Sequence, residues 1–156
     1  MTIAYGTVIT HRFVPHALTL YQSIQNALSG RQLYIGCIDD GAYNLLLKLS
    51  LPHIIPVKHD DFVPEYVKRT RSNRTNGEYC WTNKPSILQY ILKESHPEWA
   101  IYFDSDMHLF KDIGTCIESH GASLYFTKHH IIKGYEHYHA QSGEHNGGFA
   151  AARKSS

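Results

Sequence analysis

Hydrophobic residues in this chain gather into short unbroken runs that stop at polar or acidic residues, and stretches of helical spacing separate the runs. Ile3-Ala-Tyr-Gly-Thr-Val-Ile9 is the first run. Thr10-His-Arg-Phe-Val-Pro15 then turns into a segment whose apolar positions Ala17, Leu20, Tyr21, Ile24, Ala27 and Leu28 repeat at helical intervals until Ser29-Gly30. Arg31 to Ile38 predicts a second strand, halted at Asp39-Asp40-Gly41. A second helix carries Leu45, Leu46 and Leu49 on its apolar face and closes at Pro52, and His53-Ile-Ile-Pro-Val57 predicts a third strand whose proline favours an edge. This βαβαβ alternation implies a parallel sheet with right-handed crossovers.

Between Lys58 and Tyr79 the pattern weakens around Lys68-Arg-Thr-Arg-Ser-Asn-Arg74, which predicts a solvated loop or frayed helix. Order returns at Trp81-Thr-Asn-Lys-Pro85. Thr82 or Asn83 suits a helix cap there and Pro85 the first turn, and Ile87, Leu88, Ile91 and Leu92 form the buried stripe as far as His96-Pro97. Lys84 thus sits at a helix N-terminus, where backbone N–H groups and its own ammonium favour an anion. Trp99 to Phe103 shows neither alternation nor helical spacing, as expected of a strand buried on both faces, and it runs into Asp104-Ser105-Asp106. Side chains at i and i+2 of extended chain share a face, so both carboxylates can turn toward one hard cation. Lys111 to His120 predicts a short helix or turn and Ala122 to Thr127 a strand. A polar loop rich in Tyr, His and Gly leads to Glu144-His-Asn-Gly-Gly-Phe149, and Ala150 to Ala152 predicts one more strand.

Composition narrows the classes. With 42% hydrophobic and 19% charged residues over 156 positions, disorder and fibrous classes drop out and a single domain spanning 1–156 is expected. A formal charge of +1 gives no reason to expect nucleic acid as a partner. Cys37, Cys80 and Cys116 are an odd number with no C-x-x-C pair, so neither a disulfide framework nor a structural zinc site is inferred. With no secretory leader and no run of membrane-spanning length, a cytoplasmic location is expected, with peripheral membrane contact as the alternative. His129, His130, His137, His139 and His145 crowd one region, but their spacing matches no zinc pattern.

In open α/β sheets ligands bind beyond the carboxyl ends of the strands. Thr10-His11-Arg12, Asp39-Asp40, Asp104-Ser105-Asp106 and Asn146-Gly147-Gly148 all fall on that edge. Neither a Gly-x-Gly-x-x-Gly turn nor a P-loop is present, so phosphate is expected to be held through a bridging Mg²⁺ or Mn²⁺ on the carboxylate pair.

In the order and spacing of four features, the chain resembles the GT-A glycosyltransferases, most nearly the family-8-like glycogenin and galactosyltransferase type. These are the helix start Ala17-Leu-Thr-Leu-Tyr-Gln-Ser-Ile24, Trp81-Thr-Asn-Lys-Pro85, the D-x-D of Tyr102-Phe-Asp-Ser-Asp106, and Asn146-Gly-Gly-Phe149. The resemblance implies a Rossmann-like, mixed but mainly parallel sheet flanked by helices. It implies transfer of a sugar from a nucleotide-diphosphate donor, UDP-sugar being favoured, to the hydroxyl of an unidentified glycan, lipid or protein acceptor. Asp104 and Asp106 would hold Mn²⁺ or Mg²⁺, and with Asn146 they are the candidate catalytic residues. Thr10, His11, Arg12, Asp39, Lys84, Ser105, Asn146, Gly147 and Gly148 are the candidate donor-binding residues. Members of that group usually continue with a later histidine that completes the metal shell. Either the present chain lacks a C-terminal part, or water and diphosphate oxygens finish the coordination. Two other readings stay open: a haloacid-dehalogenase-like phosphotransferase with Asp104 as nucleophile, and a nucleotide-sugar-binding fragment without turnover.

Overall fold

In the computed structural model, which describes residues 1–118 and 121–154 without the side chains of residues 118, 139 and 141, β1 (Ile3–Ile9) is buried along its whole length. It lies between β2 (Leu33–Cys37) and β4 (Trp99–Phe103), pairing parallel with both, and β2 pairs parallel with β3 (Ile54–Lys58). The six-stranded sheet has the order β3-β2-β1-β4-β6-β5, with β5 spanning Leu124–Lys128 and β6 His145–Arg153. Both late strands run antiparallel, β6 against β4 and against β5. The sheet is therefore mixed and mainly parallel, and Pro56 lies on an edge strand, where its missing N–H costs no ladder bond.

Every residue of β1, β2 and β4 is buried because helices cover both faces, and the period of two sorts the side chains. Tyr5, Ile9, Leu33, Ile35, Trp99, Ile101 and Phe103 pack on one face under α1 (Val14–Ala27) and α2 (Asp40–Leu49). Ala4, Val8, Tyr34, Val57, Ala100 and Tyr102 pack on the other, under α3 (His59–Phe62), α4 (Glu65–Lys68), α5 (Asn76–Thr82) and α6 (Lys84–Glu94). The remaining helices, α7 (Gly114–Glu118) and α8 (His139–Ser142), follow β4 and β5. Asp104 continues the parity of Tyr102 and so belongs to the α6 side.

Several expectations need correction. Of the two forms expected after Lys58, solvated loop or frayed helix, the stretch takes the helical one, as α3, α4, a 3-10 turn at Arg69–Asn73 and α5, and it is less solvated than expected. The charged residues hide an apolar series in the sequence, Phe62, Val63, Val67 and Tyr79, all of them core members. Leu49 is exposed rather than part of the buried face of α2, which instead uses Ala42 and Leu46. Asn83 occupies the N-cap position of α6 without a side-chain cap; its backbone is helical, and its Nδ2 donates back to the Tyr79 carbonyl at 2.8 Å. The polar loop before β6 contains a 3-10 turn at Glu136–Tyr138 as well as α8. Beyond Glu118 the helix expected over Lys111 to His120 lies outside the described residues, as do Ser155 and Ser156. No helix among the described residues is long and apolar enough to cross a membrane.

Phe62 is the least evident of these core residues. Its ring lies against Gly36, where an added Cβ would sit 2.8 Å from Cζ, so a residue without a side chain on β2 makes room for an aromatic from α3. Phe62→Ala is expected to lower unfolding free energy by about 3–5 kcal/mol, the usual cost of emptying a buried aromatic site. Urea denaturation checks this, with a lower midpoint at unchanged slope.

Candidate functional site

Asp104 is the first residue past β4, and its backbone N–H donates to the Gly148 carbonyl at 2.8 Å. Because β6 runs against β4, its early residues return to the edge where β4 ends. This brings Asn146-Gly147-Gly148 beside the D-x-D. The carboxylate of Asp104 is then held from two sides. The Tyr102 hydroxyl, two residues earlier on the same face, donates to Oδ1 at 2.7 Å. Burial, with the neighbouring Asp104 charge, pushes that hydroxyl well above the ordinary tyrosine value, so it stays protonated. The Lys84 ammonium lies 2.7 Å from Oδ1 and 3.0 Å from Oδ2. It also donates to the Gly147 carbonyl at 2.9 Å, and it lies 5.4 Å from the centroid of the Tyr102 ring. Lys84 is the first residue of α6, so the helix aims this cation into the strand edge.

Gly148 has a steric reason: a Cβ there would sit 3.0 Å from Asn146 Oδ1, whereas one on Gly147 would make only ordinary contact, 3.4 Å from Lys84 Nζ. Asn146 Oδ1 accepts the Gly148 N–H at 2.7 Å, which folds the strand entry onto itself. Beyond Asp104, Ser105 is buried and Asp106 exposed. The chain after them is tied to α1, where the buried Ser23 hydroxyl accepts the Leu109 N–H at 3.0 Å.

A cavity of about 280 Å³ opens above this cluster, lined by Thr10 and Phe13 after β1, by Asn76, Gly77, Cys80 and Trp81 of α5, by Lys84, and by Tyr102 to Asp106 without Phe103. Of the expected donor-binding residues, Thr10, Lys84 and Ser105 line it, as do the expected metal ligands Asp104 and Asp106. Asn146, Gly147 and Gly148 adjoin it through Lys84 and Asp104. His11, Arg12 and Asp39 are not among its lining residues. Asp39 uses both oxygens in the fold: Oδ1 accepts the Ala42 N–H at 2.8 Å, capping α2, and Oδ2 accepts the His11 N–H at 2.9 Å. The His11 ring packs over Gly41 of α2, and Arg12 is exposed.

Sequence reasoning missed Tyr102, Phe13, Gly77 and Trp81 as members of the site. Tyr102 was findable, since i−2 of a strand shares the face of Asp104. Among the described residues no group of three or more His, Cys, Asp or Glu is arranged to hold a metal ion. His145 packs against Phe126 with ring centroids 6.2 Å apart, and the side chain of His139 lies outside the described residues.

The α5 wall is held by its N-terminal cap. Thr75 Oγ1 accepts the Glu78 N–H, while Glu78 Oε2 accepts both the Thr75 N–H and hydroxyl at 2.8 Å, the reciprocal capping box. Its middle is anchored by Tyr79, fully buried, whose hydroxyl meets His59 Nε2 at 2.8 Å and whose ring lies under the Arg71 guanidinium.

No family model matches the chain. It is 31% identical to the uncharacterized protein YfnD of Bacillus subtilis strain 168 over 154 residues, 97% of this chain and 49% of that protein. It is 30% identical to YfnF of the same organism over 121 residues, 76% of this chain and 40% of that protein. The chain thus spans about half the length of the curated relatives it matches. Among solved structures it is similar to the galactosyltransferase LgtC in complex with donor and acceptor sugar analogs (TM-score 0.62, 11% identity, 98% of this chain and 58% of that one). It is also similar to the glycosyltransferase GlyE of Streptococcus pneumoniae TIGR4 (TM-score 0.57, 13% identity, 96% and 34%). A third likeness is to CMP:2-keto-3-deoxy-manno-octonic acid synthetase complexed with CTP (TM-score 0.60, 9% identity, 98% and 74%). At such identities these likenesses show the fold, which is the GT-A nucleotide-sugar transferase type, and not the reaction.

The capping box gives the α5 wall a pH dependence. The two bonds from Thr75 hold the Glu78 carboxyl below the ordinary glutamate value. A carboxyl depressed on folding contributes stability that is present at neutral pH and is lost as pH falls through its folded pKa. Glu78→Gln should therefore melt below the wild type at pH 7, and the gap should close below the ordinary glutamate range, as followed by circular dichroism across pH.

Proposed function

We propose that the chain carries the donor site of a glycosyltransferase of the family-8-like type, which moves a sugar from a nucleotide-diphosphate donor, UDP-sugar for preference, to an acceptor hydroxyl. One observation carries the reading: an acidic D-x-D and a helix-borne lysine meet on the carboxyl edge of a GT-A sheet, at the floor of a cavity. The donor set fits a divalent cation, since Asp104 and Asp106 offer hard carboxylate oxygens and both line the cavity. With two protein carboxylates, Mg²⁺ or Mn²⁺ would take its other ligands from diphosphate oxygens and water. Such an ion, when bound, supplies a Lewis acid for the charge that develops on the departing diphosphate.

The chain's own residues do the rest. Tyr102 and Lys84 fix the rotamer of Asp104 and so orient its oxygens toward the cavity. Lys84 brings a second positive charge, able to take a diphosphate oxygen as the leaving group departs. Thr10 borders the nucleoside end. Asn146, with Oδ1 committed to Gly148, presents its amide N–H₂ toward the sugar, and the two glycines allow the sugar close approach. In the transfer the acceptor oxygen bonds to the anomeric carbon, the bond from that carbon to the phosphate oxygen breaks, and the acceptor proton passes to a base or to the leaving diphosphate. An inverting course would draw its base from Glu144 or His145, both exposed where the chain enters β6.

The geometry speaks against Asp104 as a phosphoryl acceptor. The aspartate follows the fourth strand rather than the first.

Isothermal titration of the folded chain with UDP in the presence and absence of Mn²⁺ tests the proposal. Metal-dependent binding is expected, with at least a ten-fold loss in Asp106→Ala, equivalent to about 1.4 kcal/mol. Binding that ignores both metal and the substitution would sink it.

A further inference from the structure

The opposite edge of the sheet carries a second recess of different chemistry. A cavity of about 340 Å³ opens where β1 begins and where the turns leaving α1, α2 and α6 enter β2, β3 and β4. Its polar lining is Thr2, Arg31, Gln32, His53, Ser95 and His96, and no carboxylate lines it. The seven residues of β1 separate it from the D-x-D edge by roughly 20 Å, so one diphosphate cannot occupy both.

Three of these side chains keep a donor to give. Gln32 Oε1 accepts the Tyr34 hydroxyl at 3.3 Å, which commits the carbonyl end of the amide and leaves Nε2 with both protons. That tyrosine in turn accepts the Ser95 hydroxyl, so the bonds run one way, from Ser95 through Tyr34 to Gln32. Thr2 Oγ1 accepts the Glu98 N–H at 3.0 Å, which leaves its own proton to donate. His96 Nδ1 lies 3.4 Å from the Lys154 ammonium, a donor only, so the ring accepts there and carries a proton on Nε2.

The Arg31 guanidinium is the strongest donor of the set, and it is unmatched. It is half-buried and forms no ion pair among the described residues. The acids nearest the cavity in sequence are already paired, Glu94 with Lys93 at 3.0 Å and Glu98 with Arg153 at 3.1 Å. Cations on this edge would be explained if they served the carbonyl ends of the helices, where the macrodipole is negative. Backbone N–H groups already meet those ends: Leu28 donates to Ile24, Ser50 to Leu46 and Ser95 to Ile91. The backbone adds a separate sign. His53 and His96 are left-handed, with φ of 64° and 48°, a conformation that glycine holds without steric cost, as Gly30 does on the same rim. The fold therefore does not require an imidazole at either turn.

We infer that this recess binds a phosphate-class oxyanion: a phosphomonoester held by the Arg31 guanidinium and the Gln32 amide, with Thr2, His53 and His96 around it. Guanidinium and phosphate match as a two-pronged pair. The volume exceeds what a bare phosphate fills and lies in the small-ligand range, and Ile3, Ala4 and Pro97 line a flank for the organic part of the ester. A free metabolite and a lipid headgroup present the same group. Either would tie together the turns before β2, β3 and β4, whether or not a nucleotide occupies the other edge.

Titrations of the full chain with inorganic phosphate and with glycerol 3-phosphate, in buffer with EDTA and followed through backbone amide resonances, test the site. Saturable shifts centred on residues 30–32, 53, 95 and 96 are expected. Gln32 is exposed, and Gln32→Glu keeps the acceptor for Tyr34 while exchanging the amide donor for a negative charge. It should melt as the wild type does and bind glycerol 3-phosphate at least about ten-fold more weakly. Arg31→Gln should lose as much, and Arg31→Lys less. Sedimentation with vesicles of phosphatidylcholine, alone or mixed equally with phosphatidic acid, separates the two sources. Capture by the mixed vesicles that Gln32→Glu abolishes identifies a lipid headgroup, and saturation by the soluble ester without such capture identifies a free metabolite. Shifts that stay linear in ligand concentration, that centre on Lys84, or that persist unchanged in folded Gln32→Glu and Arg31→Gln would overturn the site.

Discussion

The Lys84 ammonium is the constraint on which the rest of the site depends. It reaches both oxygens of Asp104 and the carbonyl of Gly147, so one cation ties the start of α6 to the end of β4 and the start of β6. Those elements are far apart in sequence, and only the sheet order places them side by side. Without a positive charge there, a half-buried carboxylate would face a carbonyl-rich turn. The Tyr102 hydroxyl completes the arrangement from inside the sheet, donating to Asp104 from a position where its own ionisation is suppressed.

That cluster needs a rigid frame, and the frame is β1. Buried throughout and paired on both sides, it sets the register of β2 and β4, so the residues that follow these strands emerge on one edge. Two helical layers close the faces. The α1 layer also reaches the site through Ser23, whose hydroxyl holds the chain that leaves the D-x-D. The α3 to α6 layer delivers Lys84 and the cavity wall. Core packing and site geometry are the same set of contacts viewed from two sides.

Much of the frame was legible in the sequence because unbroken apolar runs, helical spacing and acidic strand ends are local signals. The strands β1 to β4, the helices α1, α2 and α6, the edge position of β3, and the meeting of Asp104 with Gly147 on one edge all follow from them. What was illegible is non-local. Phe62, Val67 and Tyr79 are embedded among charges, and only their packing against the sheet, Phe62 over Gly36, shows that they are core. Asp39 reads like Asp104, an acid after a strand. Its oxygens instead cap α2 and hold the His11 turn, a difference that depends on what lies opposite. Nothing in Asn146-Gly147-Gly148 states its strand direction; the backbone bond from Asp104 to Gly148 does.

The central claim is that a divalent cation and a nucleoside diphosphate meet at Asp104 and Asp106 beside Gly147. Paramagnetic broadening of backbone amide resonances by substoichiometric Mn²⁺ in the presence of UDP tests it most directly. The account predicts that loss of signal centres on residues 104–107 and 146–148 and spares β3 and the histidine-rich residues 128–138. Broadening centred on those histidines, or none that depends on UDP, would contradict it.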